Sequence, residues 1–332
     1  GKRVTLTGIS DQLADRAAEA AEKYRIRHVK TTEELIESGD VDIILNITQP
    51  QNHYGVTLAA VKAGKHVYNE KPLCVRCEEA EEALKAAAEK KVRIGGAPDT
   101  FLGAGIQTCR KLIDDGWIGK PLAAAAFIAN HGHEHWHPDP EFYYKTGGGP
   151  MFDMGPYYLT CLVNLLGPVV RVSGSAKTGL KERLITSEPH GGETIKVDVP
   201  THIAGTLEFA EGTVGTIVTS FEVYSHTLPH IEIYGSEGTL RVPDPNTFGG
   251  PVFVRRGRAE DWSEIPLIKD YPDNSRGLGV TDMAEAIAGN RPHRASGELA
   301  FHVLEIMHGI HDASAAGKYY HMKSTCGRPD PL

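Results

Sequence analysis

Hydrophobic positions in the first third of the chain follow two alternating spacings. Short apolar runs of strand length occupy residues 4–9, 41–47, 66–68 and 92–94. Apolar residues at helical spacing predict helices over 13–24, 54–63 and 77–90. Thr31 with Glu34 forms a capping box, which predicts a further short helix. Strands that alternate with helices in this way are typical of a parallel sheet of right-handed βαβ units, and the run at 41–47 predicts a strand buried on both faces.

After Gly119 the pattern changes to strands in which apolar and polar residues alternate. The predicted strands are 122–129, 169–173, 201–209, 212–224, 230–234 and 238–242. Helices are predicted at 151–166, covering one face of the resulting antiparallel sheet, and at 296–316. We therefore expect an α/β Rossmann-like parallel-sheet domain at 1–118 and an α+β domain with an open, mainly antiparallel sheet at 119–332.

Composition and charge exclude several classes of protein. The 332 residues carry a formal charge of −8 without basic runs, which argues against nucleic acid or an anionic membrane as a partner. No apolar stretch of about 18 residues is present, so no bilayer span is predicted. Five irregularly spaced cysteines favour a reducing, cytoplasmic compartment, and we interpret Cys74 and Cys77 as small helix residues rather than a redox or metal pair.

Polar residues follow three of the predicted parallel strands, at the edge of the sheet where ligands bind in open α/β folds. They are Asp11, the segment Asn46–His53, and Glu70-Lys71-Pro72, which lies shortly after the helix-ending Gly64. Asp11 is placed to accept hydrogen bonds from the hydroxyls of an adenosine ribose, which favours NAD over NADP, although a helix cap is an equally natural role for it. No G-x-G-x-x-G sequence precedes Asp11.

Four ordered motifs give the chain a family resemblance. Thr48, Pro50 and His53 form T-x-P-x-x-H, and A-G-K-H-V and E-K-P follow at 63–67 and 70–72. The segment Gly147–Tyr157 resembles a G-G-G…D-x-G-x-H motif. Together these motifs are similar to those of the Gfo/Idh/MocA family of sugar and polyol oxidoreductases. The family pattern also implies that a first strand and a Gly-rich loop, on the order of thirty residues, are missing from this sequence.

The resemblance assigns roles to individual residues. Lys71 matches the catalytic lysine of the family and Asp153 its active-site aspartate, while Tyr157 stands where most members have histidine and some have tyrosine. The cofactor, NAD with NADP as the alternative, is expected at Asp11, Thr48, Pro50, Asn52, His53, Glu70 and Lys71.

Oxidation of a secondary alcohol needs a base within about 3 Å of the hydroxyl while a hydride leaves for the nicotinamide ring. A lysine ammonium near a phenol favours the phenolate, so we expect Tyr157 to act as the base, Lys71 as its electrostatic partner, and Asp153 to orient them. The reverse assignment, with Lys71 as the base, stays open. Tyr158 competes with Tyr157 for either role.

A histidine-rich segment, Asn130–Pro138, lies between the first strand of the second sheet and Asp153. Its four histidines at alternate positions share one face of an extended segment, a spacing that metal sites also use. We expect no metal, and interpret the segment as a substrate wall in which Trp136 faces a sugar ring. The predicted substrate-binding residues are Asp99, Phe101, His133, His135, Trp136 and Tyr157, with Arg276, His308 and His311 as weaker candidates.

The sequence therefore predicts an NAD(P)-dependent oxidoreductase that transfers a hydride between a nicotinamide cofactor and a secondary hydroxyl of a sugar, inositol or related polyol. An NAD-using glycosidase of the same fold and a non-catalytic dinucleotide or sugar sensor are the alternatives. The resemblance implies that Lys71 counts against the glycosidase, and Lys71 together with Tyr157 counts against the sensor. An open sheet with apolar residues on both faces needs a cover, which predicts a homodimer or homotetramer formed through the C-terminal sheet. The sequence does not identify the sugar or the carbon that reacts.

Overall fold

The computed structural model describes residues 4–332 and divides them into two units. The first unit combines residues up to Ala97 with Gly277–Phe301, and the second combines Pro98–Arg276 with His302–Leu332. The helices are α1 (Ala14–Tyr24), α2 (Thr32–Glu37), α3 (Pro50–Lys62), α4 (Cys77–Lys90), α5 (Ala104–Asp114), α6 (Pro150–Leu166), α7 (Leu278–Ala288) and α8 (Gly297–Ala316). None of these helices, all within the described residues, is long and apolar enough to cross a bilayer.

The strands of the first unit are β1 (Gly8–Ile9), β2 (His28–Val29), β3 (Ile43–Asn46), β4 (His66–Asn69) and β5 (Ile94–Gly96). Those of the second are β6 (Pro121–Ala129), β7 (Val169–Lys177), β8 (Glu182–Leu184), β9 (Thr194–Lys196), β10 (His202–Phe209), β11 (Val214–Ser220), β12 (Ile231–Gly235), β13 (Gly238–Val242), β14 (Val252–Arg256), β15 (Ser263–Ile265) and β16 (Tyr320–His321).

The first unit has the predicted parallel strands between helices. β1 pairs with β2, and β3, β4 and β5 pair in that order, all in parallel. Local signals set the helix ends: Thr31 and Glu34 form the predicted capping box, with Glu34 N donating to Thr31 Oγ1 at 3.2 Å. Gly64, at φ +79°, ends α3 in the left-handed conformation that glycine adopts without strain. The Rossmann-like fold class is confirmed.

Strand β3 differs from its prediction. The run at 41–47 was expected to be buried on both faces, yet Leu45 is 45 % exposed and Ile47 67 % exposed. Among residues 4–332, β3 pairs only with β4, while β1 and β2 form a separate sheet. One edge of β3 therefore lacks a neighbouring strand, so its side chains lose the flanking cover that buries a central strand.

The second unit is built on a nine-stranded sheet in the order β15-β14-β13-β12-β6-β11-β10-β7-β16. Only β6 and β11 are parallel within it, so the predicted, mainly antiparallel sheet is confirmed. Helix α6 packs on β6, β10 and β11, which places its buried Leu159, Leu162 and Val163 over one face of the sheet. A separate hairpin, β8 and β9, projects from the same unit.

The division between the units does not fall at residue 118. Helix α5 belongs to the second unit because its first turn docks there: the Gly105 N–H donates to Phe248 O at 2.9 Å. A Cβ at Gly105 would lie 1.8 Å from Gly249 O, so only glycine permits this approach. Conversely, residues 277–301 complete the first unit, where Gly96 N donates to Ala295 O at 3.1 Å.

Candidate active site

In the first unit, the ends of β3 and β4 are joined by buried polar side chains, which we call the amide network: Asn46, His53, Thr57 and Asn69. Each of the four is at most 2 % exposed. Asn46 Nδ2 donates to Thr57 Oγ1 at 3.3 Å, and Thr57 Oγ1 donates to Asn69 Oδ1 at 2.8 Å. Asn46 and Asn69 are register partners on neighbouring strands, so the network fixes both strand ends relative to α3.

His53 connects the two motifs predicted to contact the nicotinamide end of the cofactor. Its Nδ1 lies 2.7 Å from Pro72 O and its Nε2 lies 2.9 Å from Thr48 O. The ring is fully buried and both of its nitrogens face backbone carbonyls. The geometry therefore gives His53 the role of holding these two segments in place, and its ring nitrogens are not presented to a ligand.

The E-K-P segment leaves the carboxyl end of β4 as predicted. Glu70 N donates to Asn46 O at 2.8 Å, and Glu70 Oε2 accepts from Lys71 N at 2.9 Å. Lys71 is half-buried, and the Lys71–Pro72 peptide bond is cis. The backbone on both sides of Lys71 is thus tied to the amide network through Asn46 and His53.

The remaining predicted cofactor residues follow β1 and β3 and are exposed or partly exposed. Asp11 Oδ1 accepts from Leu13 N at 2.8 Å, so the carboxylate holds the turn just before α1, and it remains exposed. Thr48 and Asn52 are exposed and Pro50 is the first residue of α3. A solvent-facing carboxylate after β1 and exposed polar groups after β3 fit the ribose and nicotinamide ends of a dinucleotide.

In the second unit, Asp153 lies in the first turn of α6 and contacts His133. His133 Nε2 lies 3.0 Å from Asp153 Oδ2, and both side chains are 11 % exposed. Tyr157 follows Asp153 by four residues on the same helix, so the two side chains share a face. The structure therefore brings together three residues that the sequence predicted separately.

Tyr158 is distinguished from Tyr157 by its surroundings. Tyr158 is 2 % exposed, its Oη lies 2.8 Å from His230 Nδ1, and burial raises the pKa of its phenol. Tyr157 is half-buried. Of the two tyrosines, only Tyr157 combines accessible surface with the helix face of Asp153, so the competing assignment of Tyr158 is removed.

Three aromatic rings surround His133. The ring centroids of Tyr143, Phe221 and Trp136 lie 4.1, 4.9 and 5.3 Å from that of His133. Burial, followed by the charges of Asp153 and Tyr157, raises the pKa of Tyr143 to about 12. Tyr143 and Phe221 were not predicted as site residues; the local signal for Tyr143 is its position shortly before the Gly147–Gly149 run.

The loop that carries His133 is held by an arginine, two carboxylates and a phenol, which we call the ionic cluster: Glu134, Tyr144, Arg183 and Glu222. Arg183 Nη1 donates to Glu134 Oε1 at 2.9 Å, and its Nη2 lies 2.8 Å from Glu222 Oε2. Tyr144 Oη also donates to Glu134. Burial acts to raise the pKa of Glu134, but the Tyr144 hydrogen bond and the Arg183 charge outweigh it and hold that pKa below its usual value.

Other predicted residues have different roles from those expected. Phe101 is 1 % exposed and its carbonyl accepts from Gln107 Nε2 at 2.9 Å, so its ring contributes to packing rather than to a substrate wall. Asp99 is also buried, whereas His135 and Trp136 are exposed. Burial raises the pKa of the Cys74 thiol to about 12, which opposes the thiolate that a redox or metal role needs. Across residues 4–332, no three His, Cys, Asp or Glu side chains form a group that could hold a metal ion.

Comparison with known proteins decides the family. Residues 106–241 match the GFO/IDH/MocA C-terminal domain, and residues 1–96 match the oxidoreductase family with an NAD-binding Rossmann fold. A 1,5-anhydro-D-fructose reductase from Ensifer adhaerens is 31 % identical over 310 residues, covering 91 % of this chain and 86 % of that protein. The chain belongs to the Gfo/Idh/MocA family. It is thus an NAD-binding oxidoreductase, and its first unit is the NAD-binding one.

Further relatives in the Gfo/Idh/MocA family act on sugars by name. A D-xylose dehydrogenase from Paenarthrobacter nicotinovorans is 23 % identical over 300 residues, covering 83 % of this chain and 76 % of that protein. Among solved structures, apo levoglucosan dehydrogenase superposes with a TM-score of 0.83 at 20 % identity, covering 97 % of this chain and 91 % of that one. Its complex with NADH and L-sorbose has a TM-score of 0.81 at 21 % identity, over 96 % and 90 % of the two chains. These structures establish the shared fold.

Proposed function

We propose that this protein is an NAD-dependent dehydrogenase of a secondary hydroxyl in a sugar, inositol or related polyol, with NADP as the alternative cofactor. The observation that carries the proposal is the His133–Asp153 pair with Tyr157 one turn later on α6. The names of the relatives, among them reductases and dehydrogenases of anhydrofructose, xylose and inositol, support a polyhydroxylated substrate.

The residues divide the chemistry between them. When bound, the nicotinamide cofactor accepts or supplies the hydride. Tyr157 takes the hydroxyl proton, and Lys71 donates a hydrogen bond to the substrate oxygen; in the reverse assignment Lys71 is the base. Asp153 orients the substrate hydroxyl, and His133, packed among Trp136, Tyr143 and Phe221, fixes the rotamer of Asp153.

The cofactor residues follow from the first unit. Asp11 would accept from the adenosine ribose, and Thr48, Pro50 and Asn52 would line the nicotinamide end together with Glu70 and Lys71. His53 and the amide network position these segments through Thr48 O and Pro72 O.

The test measures NAD reduction by a panel of sugars and polyols. We expect Lys71→Ala and Tyr157→Phe each to lower kcat/KM at least about 100-fold, the smallest loss usual for a general acid–base group. Lys62→Ala and Tyr24→Phe, at exposed positions of the first unit, are matched controls and should stay near wild type. The variant that lacks the base should also lose the acidic limb of the pH profile of kcat/KM.

Each contrary outcome has a distinct meaning. Full activity in both variants would refute the site assignment. Release of an aglycone without net NADH would indicate the glycosidase, and binding of NAD without turnover of any sugar would indicate a sensor. Lys62→Ala controls for removal of a lysine from the first unit, and Tyr24→Phe controls for removal of a tyrosine hydroxyl. A loss of activity confined to Lys71→Ala and Tyr157→Phe would therefore be specific to the proposed site.

Self-association through the open face of the second sheet is the further part of this proposal. The face of the sheet opposite α6 carries apolar side chains on β6, β10 and β11, including Phe127, Ala204 and Val218. A face of this kind requires a cover, and a second copy supplies an identical surface. Sedimentation should show a dimer or tetramer that Phe127→Glu dissociates; a monomer throughout would contradict it.

A further inference from the structure

A cavity of about 730 Å³ lies in the second unit beside the loop that carries His133. Its size falls in the range of small-molecule sites. Its lining includes Asn130, His131, Glu134, Thr186, Tyr224 and Ser225. None of His133, Asp153 and Tyr157 is among the lining residues, so the cavity is separate from the proposed reacting centre.

The cavity and the reacting centre are nevertheless neighbours along one loop. His133 contacts Asp153, while the residues immediately before and after it, His131, Glu134 and His135, line the cavity. Since consecutive α-carbons are only about 3.8 Å apart, the two sites are separated by little more than the thickness of this loop. A ligand made of two linked rings that passes around this loop would reach both sites.

An aromatic platform forms one wall of the cavity. Tyr224 stacks on His131, with ring centroids 3.6 Å apart and planes at 18°, yet Tyr224 is 86 % exposed. Its outer face is therefore open to a ligand. A flat aromatic face beside hydroxyl and amide groups, here Ser225, Thr186 and Asn130, suits a sugar ring, which presents C–H bonds on its face and hydroxyls at its rim.

The charge of the lining selects an uncharged ligand. No lysine or arginine lines the cavity, and the Glu134 carboxylate is already bonded to Tyr144 and Arg183. A phosphate or carboxylate would find no cation there. His131 Nδ1 is buried without a hydrogen-bond partner among residues 4–332, which leaves an unmet polar group in the wall that a ligand hydroxyl would satisfy once Tyr224 shifts.

We propose that this cavity is a subsite for a second, uncharged sugar ring, so that the preferred substrate is a disaccharide or glycoside whose other ring reacts beside Asp153. The inference rests on the proposed dehydrogenase function and deepens it. Tyr224 is then a specificity residue: it contacts the ring that does not react, and its removal changes KM rather than kcat.

The test compares glucose with maltose, cellobiose, lactose and glucose 6-phosphate as substrates of wild type, Tyr224→Ala and Tyr224→Phe. We expect at least one disaccharide to be preferred over glucose, and Tyr224→Ala to lower its kcat/KM about five- to tenfold, through KM, without changing that for glucose. Tyr224→Phe keeps the aromatic face and should stay near wild type. Leu228→Ala, exposed in the same loop and outside the cavity, is the matched control.

Direct calorimetric titration of the same sugars separates this inference from the proposed function. Oxidation of glucose together with equal effects of Tyr224→Ala on all sugars would overturn the subsite and leave the dehydrogenase standing. Binding of a disaccharide that depends on Tyr224, without oxidation of any sugar, would support the subsite and refute the dehydrogenase. A preference for glucose 6-phosphate that Tyr224→Ala leaves unchanged would overturn the subsite in favour of an anion site.

Discussion

The two units hold their functional loops with different kinds of buried polar groups. In the first unit, the amide network, formed by two asparagine amides, the Thr57 hydroxyl and the His53 ring, anchors the segments around Thr48 and Pro72. In the second, the ionic cluster anchors the loop that carries His133. Both link residues that are distant in sequence, but only the second is built on an arginine paired with two carboxylates.

That difference determines how each framework fails. Removing one member of the amide network leaves an unmet hydrogen bond, which costs about 1–3 kcal/mol. Removing one partner of a buried ion pair leaves a charge without compensation, which costs about 3–5 kcal/mol. The loop at His133 should therefore be the more vulnerable of the two, although the pairing of the intact cluster need not make it the more stable.

Arg183→Met should cause the largest loss of stability among the variants of the two networks. With Arg183 absent, Glu134 and Glu222 lose their cation, and we expect the free energy of unfolding to fall by about 3–5 kcal/mol in a denaturant titration. Arg256→Met is the matched control, since Arg256 pairs with Glu237 at the surface, where their side chains are 54 % and 63 % exposed, and should contribute under about 1 kcal/mol. Equal losses in the two variants would contradict the ionic role of the cluster.

His302 extends the comparison to pH, since it is buried, uncharged and titratable. Its Nε2 accepts from Val169 N at 3.0 Å, and burial lowers its pKa to about 4 from 6.5. The unfolded state binds the proton more readily than the folded state does. The contribution of His302 to the free energy of unfolding is therefore complete above pH 6.5 and falls by about 3 kcal/mol as the pH decreases toward 4.

Denaturant titrations between pH 7 and 4 measure the slope of the free energy of unfolding against pH. His302→Gln should flatten it, whereas His321→Gln, at an exposed position of the same unit, should leave it unchanged. An identical slope in all three proteins would show that other groups, such as the Glu134 carboxyl, carry the whole pH dependence.

Thr57→Val tests the amide network at nearly constant shape. The valine leaves Asn69 Oδ1 and Asn46 Nδ2 without Thr57, and we expect a loss of about 1–3 kcal/mol together with a raised KM for NAD. Thr57→Ser keeps the hydroxyl and should restore both quantities. A stability loss with unchanged KM would mean that the network stabilises the unit without positioning the cofactor segments.

Lys111→Met measures how much an exposed ion pair contributes to stability, for comparison with the amide network and the ionic cluster. Lys111 and Asp115 pair one turn apart on the surface, with side chains 52 % and 43 % exposed. We expect a change of about 0.3–0.5 kcal/mol at low salt and none at about 1 M salt, since exposed pairs are screened. A salt-resistant effect as large as that of Thr57→Val would remove the distinction between buried and exposed groups on which the comparison depends.

Local signals in the sequence were sufficient to predict most of the helices and strands. The helix predicted at 77–90 is α4 with the same bounds, and the capping box at Thr31 forms as expected, because both depend on residues within one or two turns. The exposure of β3 was not predictable, since burial of a strand depends on which strands flank it.

In the candidate site, too, contacts between residues distant in sequence were not predictable. His133 and Asp153 carry recognisable motifs, and the structure pairs them. Arg183 carries none: it lies in a short hairpin strand, and its importance follows from meeting Glu134, 49 residues earlier, and Glu222. Contacts across such separations come from the topology of the sheet, which a single sequence does not specify.

The assembly of the first unit from two chain segments has a consequence for synthesis. Residues 98–276 must be made before Asp282, Arg291 and Arg294 emerge to close the first unit, where both arginines bind Asp282. At the usual rate of translation this delay is roughly 10–35 s. The nascent NAD-binding half therefore lacks α7 and its closing ion pairs during this time. The second unit is completed later still, because its last segment, His302–Leu332, is made after Gly277–Phe301.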